Sequence, residues 1–170
     1  MLISEKMQNK LNQQINREQY SAQLYLAMAT AFENMGLKVL AQFYYNHTNE
    51  ESQHAMKLLK YVVDVGGRVE LKAIEAPPTK YGSVTEIAQA TLDHEIKVTE
   101  MINDLVALAE KENDYSTRSF LSWFVDEQVE EVSSAQELLD LAKMTPPQML
   151  LALESRVSRM MEEGAEASGA

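Results

Sequence analysis

Five residues that can bind a metal ion lie where a helical bundle normally places hydrophobic side chains. They are Glu18, Glu51, His54, Glu95 and Glu131. Each lies on a stripe of positions three and four residues apart, which puts it on the same helix face as the surrounding leucines, alanines and aromatic residues. Carboxylates and an imidazole in such places can bind a metal ion or hold protons in the interior. No Lys or Arg shares any of the four stripes.

Four interior carboxylates need positive charge nearby. An unpaired buried charge costs about 3–5 kcal/mol, so four would cost roughly 12–20 kcal/mol, against the roughly 5–15 kcal/mol that keeps a domain folded. Because the stripes carry no basic side chain, protons and bound metal ions remain as candidates. His54 follows Glu51 by one helical turn and adds a nitrogen ligand that protonation alone would not require. Metal binding is therefore the stronger interpretation.

The mixture of ligands narrows the choice of metal. Glu51 and His54 form an E-x-x-H pair on one helix face, and together with Glu18 they predict one ion site. Glu95 and Glu131 predict a second, oxygen-rich site that Glu51 could bridge. Sites dominated by oxygen with one imidazole suit iron or manganese, and zinc less well, whereas calcium prefers oxygen alone. Iron is favoured, with two ions about 3.5–4 Å apart.

Composition limits the functional classes. The chain has 170 residues, 45% of them hydrophobic, with six Gly and four Pro, which fits a single, mostly helical domain. The absence of Cys excludes disulfides and thiolate metal sites. A net charge of −11 disfavours binding to nucleic acid or to an anionic membrane and concentrates small cations. No apolar signal core or membrane-length apolar run occurs, so we predict a cytoplasmic location.

The stripes predict an all-α fold, an antiparallel four-helix bundle with a short C-terminal fifth helix. The predicted helices cover residues 5–33, 37–65, 83–111, 116–143 and about 146–162. Short connections make the first and last pairs of long helices antiparallel hairpins. Residues 66–82 can extend to about 56 Å, longer than a 28-residue helix of about 42 Å, so this crossover can make helices two and three parallel. The four glutamates, each near the middle of its helix, then meet at one level.

Three parts of the chain are predicted: the bundle at 1–145, the fifth helix at 146–163 and a disordered tail at 164–170. The first helix is apolar nearly all the way round from Tyr20 to Phe32, with Leu24, Leu26 and Met28 off the core stripe. A helix apolar on more than one side is buried on more than one side. We therefore predict that its outer face contacts another subunit.

The chain resembles the ferritins, specifically the bacterial non-haem type, along essentially its whole length. The resemblance depends on Glu18, on the long crossover followed by a fifth helix, and on three short runs. The runs are Glu50-Glu51-Ser52-Gln53-His54, His94-Glu95 and Glu127-Gln128-Val129-Glu130-Glu131.

This resemblance implies an iron-oxidising centre. Glu18, Glu51 and His54 would hold the first iron of a ferroxidase centre. Glu51, Glu95 and Glu131 would hold the second. The family implies that two Fe(II) ions are oxidised by O₂ or H₂O₂, and that the ferric product is deposited as a mineral inside a hollow cage of 24 subunits.

The resemblance also assigns residues around the centre. Gln128 would lie beside the iron pair. Tyr25, seven residues after Glu18 on the same stripe, corresponds to a candidate electron donor, although a core aromatic would look the same in the sequence. Glu50, Glu127 and Glu130 resemble an additional iron site toward the cavity, with a solvated acidic face as the alternative.

Two departures from related families lead to further expectations. Bacterioferritins have a haem-binding methionine directly after the bridging glutamate, and this chain has Ser52 there, so no haem is expected. Many di-iron oxidases carry a second E-x-x-H, where this chain has Gln128 three residues before Glu131. The second iron is therefore expected to be held without histidine and more loosely. His47 and His94 are predicted to be structural.

Other functions fit less well. A rubrerythrin-like peroxidase usually has a Cys-rich domain, and a DNA-protecting mini-ferritin lacks the fifth helix. A non-storage di-iron redox protein and a helical structural or adaptor protein remain as alternatives. Removing metal would leave an adaptor's assembly unchanged.

Overall fold

The computed structural model describes residues 2–168, and the side chains of residues 2–164. Within this range the chain is helical without strands. The helices are α1 (Glu5–Met35), α2 (Lys38–Asp64), α3 (Val84–Glu112), α4 (Tyr115–Met144) and α5 (Leu150–Ser168), with a 3₁₀ turn at Pro147–Met149 before α5. The predicted all-α bundle with a fifth helix is confirmed. Residues 164–168 of the predicted tail continue α5, and residues 169–170 lie outside the described part of the chain.

Local sequence sets where the long helices begin and end. The α1 helix ends at Gly36, whose φ of 77° is left-handed and permits the tight turn into α2. The α3 helix begins with a capping box in which Ser83 and Glu86 each satisfy a backbone N–H of the other. It ends at Asn113, which is also left-handed, with a φ of 55°. These turns hold the helix pairs in antiparallel hairpins.

The crossover makes α2 and α3 run in the same direction. At the start of α1, the Leu2 amide donates to the Val65 carbonyl over 2.9 Å, and the Ser4 hydroxyl donates to Glu112 over 2.7 Å. The ends of α2 and α3 therefore lie at the same end of the bundle. The buried Asn12 holds the crossover against α1, because its amide donates to the Arg68 carbonyl over 2.9 Å.

Two separate apolar clusters fill the bundle, and a polar layer lies between them. On α1, Ile15 belongs to one cluster and Tyr25 to the other, with the buried Glu18 between them. The same order is found for Tyr44, Glu51 and Leu58 on α2, for Leu92, Glu95 and Val98 on α3, and for Phe124, Glu131 and Ala135 on α4. Burying each large apolar side chain contributes about 1.5–3 kcal/mol, so the clusters can offset the cost of a charged layer.

The fifth helix caps the second. The first turn of α2 has no side-chain cap from its own N-cap residue. Instead, the buried Glu154 of α5 accepts hydrogen bonds from the Val39 amide at 2.7 Å and the Leu40 amide at 3.2 Å. A carboxylate is favoured at a helix N-terminus by the unpaired N–H groups and the helix dipole. The sequence alone does not indicate this contact, because the two partners are more than 100 positions apart.

The prediction that the outer face of α1 contacts another subunit is wrong for Leu24 and Met28 and stays a prediction for Leu26. Leu24 and Met28 are 6% and 1% exposed and belong to the subunit's own core. The helix is covered on two sides by α2 and α3, and Thr91 of α3 contacts the Met28 sulfur at 3.6 Å. Of the three residues, Leu26 alone is exposed, at 44%. No described helix is long and apolar enough to cross a lipid bilayer.

Candidate metal centre

Glu18, Glu51 and His54 form a compact buried group. One potential ligand atom from each side chain lies within 4.8 Å of the other two, and all three side chains are almost inaccessible to solvent. Glu51 Oε2 is buried and accepts no hydrogen bond, although His54 Nδ1 lies 3.3 Å from it. An orphaned carboxylate oxygen beside a second carboxylate and an imidazole fits a divalent cation.

Without metal, the centre favours bound protons. Burial raises the pKa of Glu51 well above its ordinary value, and the nearby charges of Glu18 and Glu95 raise it further. Burial together with the charge of Glu131 raises the pKa of Glu95 to about 7. Divalent ions would replace these protons, so the affinity of the centre for metal should increase with pH.

His47 supplies a positive charge that the sequence analysis did not assign. Its Nδ1 atom lies 3.2 Å from both Glu131 Oε2 and Glu50 Oε2. Burial alone would lower the pKa of His47, but these carboxylates, Glu131 foremost, raise it to about 9. In turn, burial alone would raise the pKa of Glu131, but His47 and then His54 together outweigh burial and hold the pKa of that carboxyl below its ordinary value. The available signal was the position of His47, one helical turn before Glu51 on the same stripe.

The carboxylate of Glu95 is held by two neighbours. The Tyr25 hydroxyl donates to Glu95 Oε1. The Gln128 amide donates to Glu95 Oε2 at 3.2 Å and to Thr99 Oγ1 at 3.0 Å. Among the described residues, no candidate ligand group includes Glu95. The predicted second set of Glu51, Glu95 and Glu131 is therefore close enough for electrostatic coupling but is not arranged as a closed ligand set.

The acidic residues beside the centre fall into two groups rather than one. Glu50 lies with His47 and Glu131, and Glu127 lies with His54 and Glu131. The distance from His54 Nε2 to Glu127 Oε1 is 3.7 Å. Glu130 is exposed and belongs to neither group. Glu131 thus links the interior centre to the half-exposed acids on the faces of α2 and α4.

His94 joins α1 to α3 on the other side of the centre. Arg17 Nη2 lies 3.4 Å from His94 Nδ1, and because Arg can only donate, Nδ1 accepts. Nε2 then carries the proton and donates to Ser21 Oγ over 2.7 Å. Burial, with Arg17 and Lys97, lowers the pKa of His94 to about 3. His94 is therefore neutral at pH 7 and links two helices, and its structural role stays a prediction.

Fold and centre together define a four-helix bundle with a buried, carboxylate-rich centre suited to divalent metal ions. The family model of the Ferritin-like domain matches residues 8–145, and the chain belongs to this family.

Known proteins similar to this chain cover most of its length. A probable bacterial non-heme ferritin-like protein from Haemophilus influenzae is 40% identical over 139 residues, which are 82% of this chain and 84% of that protein. The bacterial non-heme ferritin of Bacteroides fragilis is 34% identical over 158 residues, covering 93% of this chain and 99% of the other. The open pore ferritin of the archaeon Archaeoglobus fulgidus has a similar structure, with a TM-score of 0.89 and 42% identity over 92% of this chain and 97% of that chain.

Proposed function

We propose that this protein is an iron-storage ferritin whose interior centre oxidises Fe(II) to Fe(III). The observation that carries the proposal is the buried group of Glu18, Glu51 and His54, in which one Glu51 oxygen has no hydrogen-bond donor. Family membership supports iron as the metal. Fe(II) is the substrate of the reaction, and the centre holds it only in transit.

We propose that the two ions bind in order. The first binds Glu18, Glu51 and His54, whose potential ligand atoms already lie together. The second requires Glu131 to leave His47. It also requires Glu95 Oε2 to exchange its hydrogen bond from Gln128 for the ion, while Oε1 keeps the bond from Tyr25. Because this site has no histidine and must rearrange, its ion should bind more weakly than the first.

For each pair of Fe(II) ions that is oxidised, the oxidant must accept two electrons. Two Fe(II) ions each lose one electron, and O₂ takes up two electrons and two protons to give H₂O₂. With H₂O₂ as the oxidant, two electrons and two protons give two water molecules. The protons that the ions displace from Glu51 and Glu95 can supply this demand locally.

Tyr25 can add one further electron. Its hydroxyl donates to Glu95, and burial, followed by the nearby carboxylates, raises its pKa well above the ordinary value. Full reduction of O₂ to two water molecules takes four electrons and four protons. The iron pair would supply two of these electrons, a third Fe(II) ion on Glu50, Glu127 and Glu130 one, and Tyr25 the fourth, with the Tyr25 proton passing to Glu95 Oε1, which its hydroxyl already contacts. The neighbouring Tyr44 differs, because its hydroxyl pairs with Thr91 Oγ1 at 2.7 Å, and a hydroxyl is a poor proton acceptor. Tyr25 is therefore the proposed electron donor.

Glu131 gives the oxidised iron a route out of the centre. It is shared with the groups that contain Glu50 and Glu127, whose side chains are 48% and 26% exposed. Together with Glu130, these acids form the proposed additional iron site. We propose that Fe(III) leaves through them and is deposited as a ferric oxyhydroxide mineral.

The proposal extends to a hollow cage of 24 copies, which the resemblance to bacterial non-haem ferritins implies. Exposed apolar side chains support subunit contacts. A groove of about 930 Å³ between α3 and α4 is lined in part by Val129, Val132 and Met144, and Val129 is 67% exposed. A molar mass from light scattering that corresponds to a monomer or a 12-mer would contradict the proposed cage. A cytoplasmic location and the absence of haem stay predictions of the sequence.

Initial rates of Fe(II) oxidation test the proposed reaction. Glu18→Leu should slow oxidation and reduce the number of ions bound anaerobically, because it removes a ligand of the first ion. The matched control is Glu100→Leu, the same substitution at an exposed position of α3. Glu18→Leu could stabilise a helical adaptor as well as a ferritin, so stability alone does not separate the two. An adaptor differs because its partner binding and assembly would not depend on metal. Equal oxidation rates in the two variants would contradict the proposal.

A further inference from the structure

A buried amide holds one of the candidate iron ligands. Gln14 Nε2 donates to Glu18 Oε1 over 2.7 Å, and both side chains are almost fully buried, at 1% and 2% exposure. The two residues are four positions apart on α1, so they lie on one helix face one turn apart. Gln14 is not on the apolar stripe, and a buried amide is costly unless it finds a partner.

The bond limits how Glu18 can turn. While Gln14 holds Oε1, Glu18 still lies in the buried group with Glu51 and His54, in which one potential ligand atom of each side chain is within 4.8 Å of the others. An amide N–H can hold a carboxylate oxygen in place. It does so without the positive charge that a Lys or Arg donor would bring, and such a charge would compete with a metal ion.

We propose that Gln14 is a positioning residue for the first divalent ion, orienting Glu18 so that one oxygen points into the group with Glu51 and His54. The inference rests on the proposed function, because it takes Glu18 as an iron ligand. Partners that orient a metal ligand typically contribute a factor of about 10 to 100 in affinity.

The test uses Co²⁺ as a probe that binds without being oxidised. Gln14→Met removes the donor and keeps a side chain of similar length. We expect it to lower the binding affinity for the first Co²⁺ ion by about 10- to 100-fold. The visible absorption of bound Co²⁺ should also change, because the geometry at Glu18 changes. In Fe(II) oxidation, the concentration of Fe(II) at half-maximal rate should rise more than the saturating rate falls.

Asn12→Leu is the matched control for loss of a buried amide on the same helix. Asn12 is 2% exposed and bonds to the crossover at Arg68 and Glu70, away from the centre. It should lower stability and leave Co²⁺ affinity and absorption unchanged. Gln14→Lys keeps a donor to Glu18 but adds a charge, so it should raise the stability of the metal-free protein and weaken Co²⁺ more than Gln14→Met does.

The outcomes separate this inference from the proposed function. Unchanged Co²⁺ affinity and absorption in Gln14→Met would overturn the positioning role, while oxidation of Fe(II) by the wild-type protein would still stand. Wild-type protein that binds Co²⁺ but does not oxidise Fe(II) would overturn the proposed function and leave the role of Gln14 intact. If Gln14→Met does not fold, Gln14→Leu, which removes the same donor with a shorter side chain, decides, and a Co²⁺ affinity equal to wild type would overturn the inference.

Discussion

Replacing Glu51 by glutamine should make the metal-free protein more stable and should slow the proposed oxidation of Fe(II). The closest potential ligand atoms of Glu18 and Glu51 lie within 4.8 Å, and at an effective dielectric constant of about 20 two ionised carboxylates at that distance repel by about 3 kcal/mol. Protonation already relieves part of this, since the pKa of Glu51 is raised by burial and by Glu18. The free energy of unfolding of metal-free Glu51→Gln should therefore exceed that of the wild type by about 1–3 kcal/mol, which corresponds to roughly 3–10 °C in melting temperature.

The extra stability of Glu51→Gln should depend on pH. The ordinary pKa of a glutamate carboxyl is 4.5. A carboxyl group whose pKa is raised in the folded state destabilises that state increasingly as the pH rises above this ordinary pKa. The advantage of Glu51→Gln should thus grow from pH 5 to pH 8 and disappear toward pH 4.

Melting curves of chelator-treated protein at these pH values measure the stability, and stopped-flow Fe(II) oxidation measures the activity. The initial rate should fall by at least about tenfold, because a ligand shared by both ions is lost. Glu100→Gln, at an exposed position of α3, is the control and should change neither quantity. A lower melting temperature for metal-free Glu51→Gln, or an unchanged oxidation rate, would refute the reasoning.

Three further predictions concern other parts of the molecule. The stability that His47 gives the metal-free protein through Glu131 is complete below pH 6.5 and is lost as the pH rises through about 9, roughly 3 kcal/mol in all. Melting temperatures should fall over that window in the wild type, and a similar fall in His47→Gln would argue against the pairing. Glu154→Ala should cost about 0.5–2 kcal/mol by uncapping α2 and should speed proteolysis of α5, whereas equal digestion rates would show that the cap does not hold it. Tyr25→Phe should remove a tyrosyl radical signal from freeze-quenched samples during turnover and Tyr44→Phe should not, so loss of the signal only in the second variant would reverse the assignment.

The helices and their order could be predicted from the sequence because the information is local. The three- and four-residue spacing of apolar side chains identified the four long helices to within about two residues at each end. The length of the crossover was enough to predict that α2 and α3 are parallel, because a shorter connection could not span the bundle. The position of each glutamate midway along its helix then indicated a shared level, and the two apolar clusters on either side of the polar layer agree with it.

The contacts that tune the centre could not be predicted, because they depend on distances between helices. Stripe periodicity places His47 on the correct face but does not show that it lies 3.2 Å from Glu131 on α4. It also placed Leu24 and Met28 off the core, since a heptad pattern describes contact with one neighbour while α1 contacts both α2 and α3. The cap by Glu154 joins distant segments and leaves no local pattern.

Diffraction from crystals soaked anaerobically in ferrous salt, recorded on both sides of the iron absorption edge, tests the central claim most directly. We expect an iron ion bound by Glu18, Glu51 and His54, and at higher occupancy a second ion bound by Glu51, Glu95 and Glu131. Iron found only on the exposed acids Glu50, Glu127 and Glu130, with the buried group empty, would contradict it.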